Sequence, residues 1–286
     1  FMTLIKKIKD KKVNFEFNKE YIKVVTDKIA SNDALFITNS FKEMHPADAA
    51  DIIEHLGEND REKLIKLNSF KIDPHELEKR ITKLTKVIII NSPNNPTGAV
   101  YLPSEIEELT TIAVENDLWI FDDMIYSDLV YSEHSYVSPA ACNGGEERTL
   151  TIGGWSKIWA MTGWRLGWIT GPTEVMEGVK TCQASSASHV PTFLMEAGAL
   201  ALELEDEPRE FYDAFAERRN VFHSLLEEIP GINAPKPEGA FYILADITQT
   251  GMDDIEFATR ALEEANVQVV PGSLMEGGEG LIRMSY

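Results

Sequence analysis

The sequence predicts an α/β fold: a mostly parallel sheet, then a small α+β C-terminal part, preceded by an all-α helical segment. Two patterns point there. Short apolar runs bounded by turn residues, as in residues 87–90 and 118–121, read as buried parallel strands. Between them, Ile106, Leu109 and Ala113 recur at helical spacing, so strand, helix and strand form a βαβ unit. A third observation separates the N-terminal segment. Residues 1–86 hold 17 Lys and Arg against 15 Asp and Glu, whereas residues 87–286 hold 10 against 32 and all five Trp. Such a break marks a domain boundary, and the expected division is 1–69, 70–185 and 186–286.

The 286 residues suffice for about two domains. The net charge of −20 sets the chain against nucleic-acid phosphates. No stretch approaches about 20 apolar residues, so no membrane span is expected. Cys142 and Cys182 are the two cysteines, too few for a disulfide framework, and suggest a reducing, cytoplasmic setting.

In the first segment, Phe17, Tyr21, Val24, Val25 and Ile29 share one helical face. The string MHPADAADIIEHLG follows, with Pro46 suited to a first helical turn and Gly57 to a C-terminal cap. Asn59 and Glu62 then form a capping-box pair ahead of Leu64, Ile65 and Leu67. His45, His55, Asp48 and Asp51 match no compact ligand spacing, so a solvated helix face is expected there and no metal.

From residue 70 the pattern changes. Asp73-Pro74 with Glu76 marks a helix start. The strand at 87–90 empties into NSPNNPTG (91–98), offering Asn95, and the strand at 118–121 ends at Asp122 and Asp123. A third strand, 150–152, runs into GGWSKIWAMTGWRLGW (153–168) with Lys157. Ligands of such sheets sit at the carboxyl ends of strands. A lysine there can form a Schiff base with an aldehyde cofactor, and a carboxylate can keep a pyridine nitrogen protonated. An amide and a phenol can bond a ring oxygen, and an arginine can pair with a phosphate. Residues 172–229 read as mainly helical. Strands at 239–246, 267–270 and 280–286, with a capped helix near 253–265, complete the small domain.

The strings NSPNNPTG, DMIYSDLVY, SKIWAMTGWRLGW, PEGAFYILADI, VVPGS and GLIRMSY resemble, in order, those of the fold-type I, pyridoxal-phosphate-dependent class I/II aminotransferases. The resemblance covers about residues 70–286. It implies transfer of an amino group between an amino acid and a 2-oxo acid, with pyridoxal 5′-phosphate as cofactor. Asn95 would then contact the cofactor ring oxygen and approach the substrate carboxylate. Asp123 would pair with the ring nitrogen, with Asp122 the alternative one residue away, and Tyr126 would bond the ring oxygen. Lys157 would carry the Schiff base and shuttle the proton, Arg165 would hold the phosphate, and Arg283 would grip the substrate α-carboxylate. Gly154 stands where many members offer a phosphate-binding serine, leaving Ser156 as a substitute. The resemblance further implies a homodimer. Part of the family's large domain before residue 70 and its closing helix after residue 286 have no counterpart here, which implies weak cofactor binding and impaired turnover. Residues 36–69 resemble instead the N-terminal domain of MgtE-type magnesium transporters. A rival reading follows, a non-enzymatic, magnesium-responsive or interaction module fused to a passenger fragment; a chimera without biological function is a third.

Overall fold

A computed structural model describes residues 19–30 and 70–286, apart from 134, 205 and 276. The chain falls into two compact units, Phe1–Asp73 and Pro74–Tyr286. In the first, helix α1 spans Lys19–Ala30 and buries Val25 and Ile29, one turn apart on the face that the periodicity marks. The expected helix pair within 36–69, with His45, Asp48, Asp51 and His55, lies outside the described residues.

The second unit starts with α2 (Pro74–Arg80). Strand β1 (Val87–Asn91) leads through α3 (Pro103–Glu115) to β2 (Trp119–Asp123). Pro103 suits the first helical turn, where no N–H is needed, and the Glu105 carboxylate accepts the Leu102 N–H at 2.7 Å. The inner face of α3 buries Ile106, Leu109, Ile112 and Ala113. Then come β3 (Thr149–Gly154) and β4 (Gly167–Thr170). The sheet runs β1-β2-β3-β4. The first two pairings are parallel and the last is antiparallel.

Register matters for function. Asn91 lies opposite Asp123, and Asp123 opposite Ile152. The carboxyl ends of β1, β2 and β3 therefore sit side by side.

Helices α4 (Thr173–Ser186), α5 (Thr192–Ala201) and α6 (Asp206–Glu227) follow. A second, antiparallel sheet has the order β5-β7-β6, from β5 (Tyr242–Asp246), β6 (Val270–Pro271) and β7 (Leu281–Ser285). Between β5 and β6 runs α7 (Asp254–Ala265), capped by the Asp253 carboxylate on the Glu256 N–H at 2.7 Å. The core under this sheet contains Leu226, Ile243, Ile247 and Ile282, with Phe222 and Phe257 packed against it.

Two expectations need correction. The strand predicted over 267–270 is reduced to Val270–Pro271. The Val267 N–H is still bonded to the Ala261 carbonyl at 2.9 Å, closing off α7 through Asn266 in the left-handed region. Residues 167–170 form a strand that no apolar run announced, because β4 is a four-residue edge whose two end residues are exposed.

One seam joins the loop after β1 to the approach to β5. The Gly98 carbonyl accepts the N–H groups of Glu238 and Gly239 at 2.9 and 2.8 Å. Gly98 has φ +71°, and a Cβ there would stand 2.4 Å from that of Pro237. Both facts demand glycine. Gly98→Ala should cost about 1–3 kcal/mol from backbone strain alone, read as a lower urea midpoint at unchanged slope.

Candidate active site

Asn91, at the end of β1, organises the loop that follows. Its side-chain oxygen accepts the Asn95 N–H at 2.8 Å, and its amide donates to the Asp123 carbonyl at 3.1 Å. The Asn94 side chain accepts from both the N–H and the hydroxyl of Thr97. These bonds hold the turn and leave the Asn95 amide exposed, where its oxygen accepts a bond from Arg283 Nη1 at 3.1 Å.

Successive residues of a strand face opposite ways, and this separates the two aspartates of β2. Asp122 is fully buried. It accepts from Tyr136 at 2.6 and 2.5 Å, from Ser138 at 2.6 Å and from Thr151 at 3.4 Å. Burial raises its pKa above the usual carboxylate range, against the lowering effect of those hydroxyls. Asp123 is half-buried and accepts the Ile125 N–H at 3.3 Å. Desolvation raises its pKa too, opposed by that backbone bond and by the positive charge of Lys157. Of the pair, Asp123 is the one that senses the lysine.

Lys157 lies in the 155–166 connection between β3 and β4. The Trp155 indole ties that connection to α5 through the Gly198 carbonyl at 2.9 Å. The Lys157 ammonium sits 5.4 Å from the ring centres of both Tyr126 and Phe241, within the range of cation–π attraction. Tyr126 is buried, meets Phe241 and Tyr242 edge-on, and shares a 3.0 Å hydroxyl–hydroxyl hydrogen bond with Tyr242. Burial first, and then the Tyr242 contact, pushes the Tyr126 phenol well above its ordinary pKa.

Arg283, on β7, lies opposite Leu244 of β5. Its guanidinium covers the Tyr242 ring at 5.0 Å. Its Nε is buried without a hydrogen-bond partner among the described residues. A buried, unsatisfied cationic donor is costly and suits an anionic ligand.

The structure thus brings Asn95, Asp123, Tyr126, Lys157 and Arg283 into one network of contacts. Ser156 and Arg165 bond instead to Thr162. The Ser156 carbonyl accepts the Thr162 hydroxyl at 2.7 Å, and the exposed Arg165 donates to the Thr162 carbonyl at 3.0 Å. At Gly154 a Cβ would meet the Leu166 carbonyl at 2.9 Å, a physical reason for glycine where a serine was expected. Sequence reasoning missed Asn91, Phe241 and Tyr242. The repeated asparagines of NSPNNPTG were a signal for the first, and the string PEGAFYILADI held the other two without giving them a role. Among the described residues no group of His, Cys, Asp or Glu is arranged to hold a metal ion, and no helix is long and apolar enough to cross a membrane.

Known proteins resemble the chain over most of its length. Aromatic-amino-acid aminotransferase 2 of Thermococcus litoralis is 42% identical over 226 residues, which cover 77% of this chain and 57% of that protein. The aspartate aminotransferase of Pyrococcus abyssi is 41% identical, with the same coverage. Among solved structures, the aromatic aminotransferase of Pyrococcus horikoshii superposes with a TM-score of 0.73 at 36% identity, over 79% of this chain and 65% of that one. Thermus thermophilus aspartate aminotransferase with maleate gives 0.71 at 34%, over 78% and 62%. The chain therefore spans little more than half the length of the curated relatives it matches. The family model for aminotransferase class I and II covers residues 59–286, beginning earlier than the motifs alone suggested and taking in the end of the 36–69 stretch. On these matches, with the lysine, aspartate and arginine brought together as described, the chain belongs to the class I and II aminotransferases.

Proposed function

We propose that this chain acts in the pyridoxal-phosphate-dependent transfer of an amino group from an amino acid to a 2-oxo acid. The observation that carries the proposal is the convergence of Lys157, Asp123 and Tyr126 on one side and the Asn95-held Arg283 on the other. The donor set suits the cofactor. It offers one amine among aromatic rings, one carboxylate for a ring nitrogen, a phenol and an amide for a ring oxygen, and exposed Arg165 for the phosphate. When bound, pyridoxal phosphate supplies an aldehyde that the lysine holds covalently and a protonated ring that withdraws electrons from the substrate Cα.

The chain's own residues do the rest. The Asp123 carboxylate keeps the proton on the ring nitrogen, which is why its charge matters more than its hydrogen bond to Ile125. Tyr126 donates to the ring oxygen. Arg283 takes the substrate carboxylate in a charge-assisted pair, and Asn95 fixes the guanidinium for that purpose. The Lys157 amine, once free, removes the proton from substrate Cα and returns one as a general acid. The surrounding Tyr126, Phe241 and Tyr242 rings exclude water from that transfer.

The relatives named for aspartate and for aromatic amino acids make both classes the first amino donors to offer. A homodimer is the proposed assembly and the cytoplasm the proposed compartment, supported by the two free cysteines. The magnesium-transporter likeness of residues 36–69 has no support beyond its sequence string, and the aminotransferase match takes in residues 59–69 of that stretch. Titrating the purified chain with pyridoxal phosphate should produce a saturable visible band, which aspartate or phenylalanine then bleaches until a 2-oxo acid is added. A chain that never develops the band refutes the proposal.

A further inference from the structure

The Tyr242 hydroxyl lies 3.0 Å from that of Tyr126. Each phenol carries one proton and can accept through its lone pairs. If Tyr126 donates to Tyr242, its proton is spent; if Tyr242 donates, the Tyr126 proton is free to point elsewhere. The cations that lie over the two rings separate the cases. Leu244 of β5 opposes Arg283 of β7, so Tyr242, two residues along, lies diagonally from Arg283 on the same sheet face. The guanidinium accordingly rests over the Tyr242 ring at 5.0 Å. A cation over the π-face draws electron density from the ring and makes that phenol the better donor. Lys157 also lies over the Tyr126 ring at 5.4 Å, but its amine is the group the cofactor would take up, so in loaded protein the lasting cation is Arg283 over Tyr242.

We propose that Tyr242 is a positioning residue which donates its hydroxyl proton to the Tyr126 oxygen, freeing and strengthening the Tyr126 hydroxyl as a donor into the site. The inference rests on the cofactor reading above and extends it. Tyr242 touches neither cofactor nor reacting atoms in this role; it acts through Tyr126. Since its ring also carries Arg283, one side chain ties the carboxylate-binding cation to the phenol aimed at the ring oxygen. The contact is buried, with Tyr126 3% and Tyr242 7% exposed, where hydrogen-bonded chains polarise one another most.

The test is the pH titration of the visible band in pyridoxal-phosphate-loaded protein. A hydrogen bond to the ring oxygen stabilises its anionic form and lowers the titration midpoint. Tyr242→Phe keeps the ring under Arg283 and removes only the hydroxyl. It should raise the midpoint by roughly 0.4–1 unit, the range a single neutral hydrogen bond supports. Tyr126→Phe should raise it further, and the double variant should go no higher than Tyr126→Phe alone, since the two act in series. Should Tyr242→Phe fold poorly, 3-fluorotyrosine at position 242 keeps the hydroxyl and makes it more acidic, and should move the midpoint down. A change of packing alone does not give shifts of opposite sign from these two replacements. An unchanged midpoint in both, or additive shifts in the double variant, overturns this inference while leaving the cofactor site standing. Absence of any Lys157-dependent band in the parent overturns both.

Discussion

Alanine in place of Lys157 should abolish covalent capture of pyridoxal phosphate. Borohydride reduction of the loaded parent, followed by peptide mapping, should place the adduct on Lys157, and the alanine variant should return no fixed label at any comparable level. The expectation comes from position: this amine is held 5.4 Å from two ring centres and beside a carboxylate that responds to its charge. Loss of proton transfer alone lowers turnover roughly 10²–10⁴-fold. Lys157→Arg is the sharper control, because it keeps the cation among the rings yet supplies no amine for condensation. It should fold like the parent and lose as much activity as the alanine variant. Label spread evenly over surface lysines in the parent would contradict the assignment.

The two neighbouring aspartates should fail in opposite ways. Asp123→Asn retains an oxygen for the Ile125 N–H and should melt like the parent, while losing most proton abstraction from substrate. Asp122→Asn should leave the visible band in place and destabilise the fold by about 1–3 kcal/mol, because an amide has one acceptor oxygen for three hydroxyl donors in a buried site. The effect has a pH signature. Burial raises the Asp122 pKa in the folded chain above its ordinary value of 3.8. The folded state thus keeps the proton to higher pH than the unfolded chain. That contribution to stability is fully present below the ordinary value and is lost as pH rises through the folded one. The stability gap between parent and Asp122→Asn should therefore be widest at acid pH and narrow toward neutrality, as followed by urea unfolding. If the chemical loss falls on Asp122→Asn instead, the assignment within this loop is displaced by one residue.

The parts of the molecule legible in the sequence are those fixed locally. Strands β1 to β3 announce themselves through short apolar runs, although β1 is covered on one face only: Ile88 and Ile90 are buried while Ile89 is exposed. The capped helices α3 and α7 do so through Pro103, Glu105 and Asp253. The site residues were legible as types at strand ends, and the resemblance gave them roles. Pairings across long separations were not. Tyr126 and Tyr242 are 116 residues apart, and the Asp122 partners Tyr136 and Ser138 come from a loop with no helical or strand period. The run at 267–270 misled because apolar character does not show whether a preceding helix has released its last N–H.

The antiparallel turn-back between β3 and β4 has a consequence of its own. A parallel neighbour would require a crossover of a dozen or more residues, usually through a helix on one face. Here the chain returns without a crossover α-helix, with Gly154 opposite Gly167, and the intervening twelve residues are clamped at both ends by one ladder. The Lys157 amine therefore hangs from a closed span rather than from a free arm. Its reach is set by the number of residues between the two glycines, so span length acts as a tuning dimension: lengthening it slackens the amine's tether, while shortening it pulls the amine back toward the sheet.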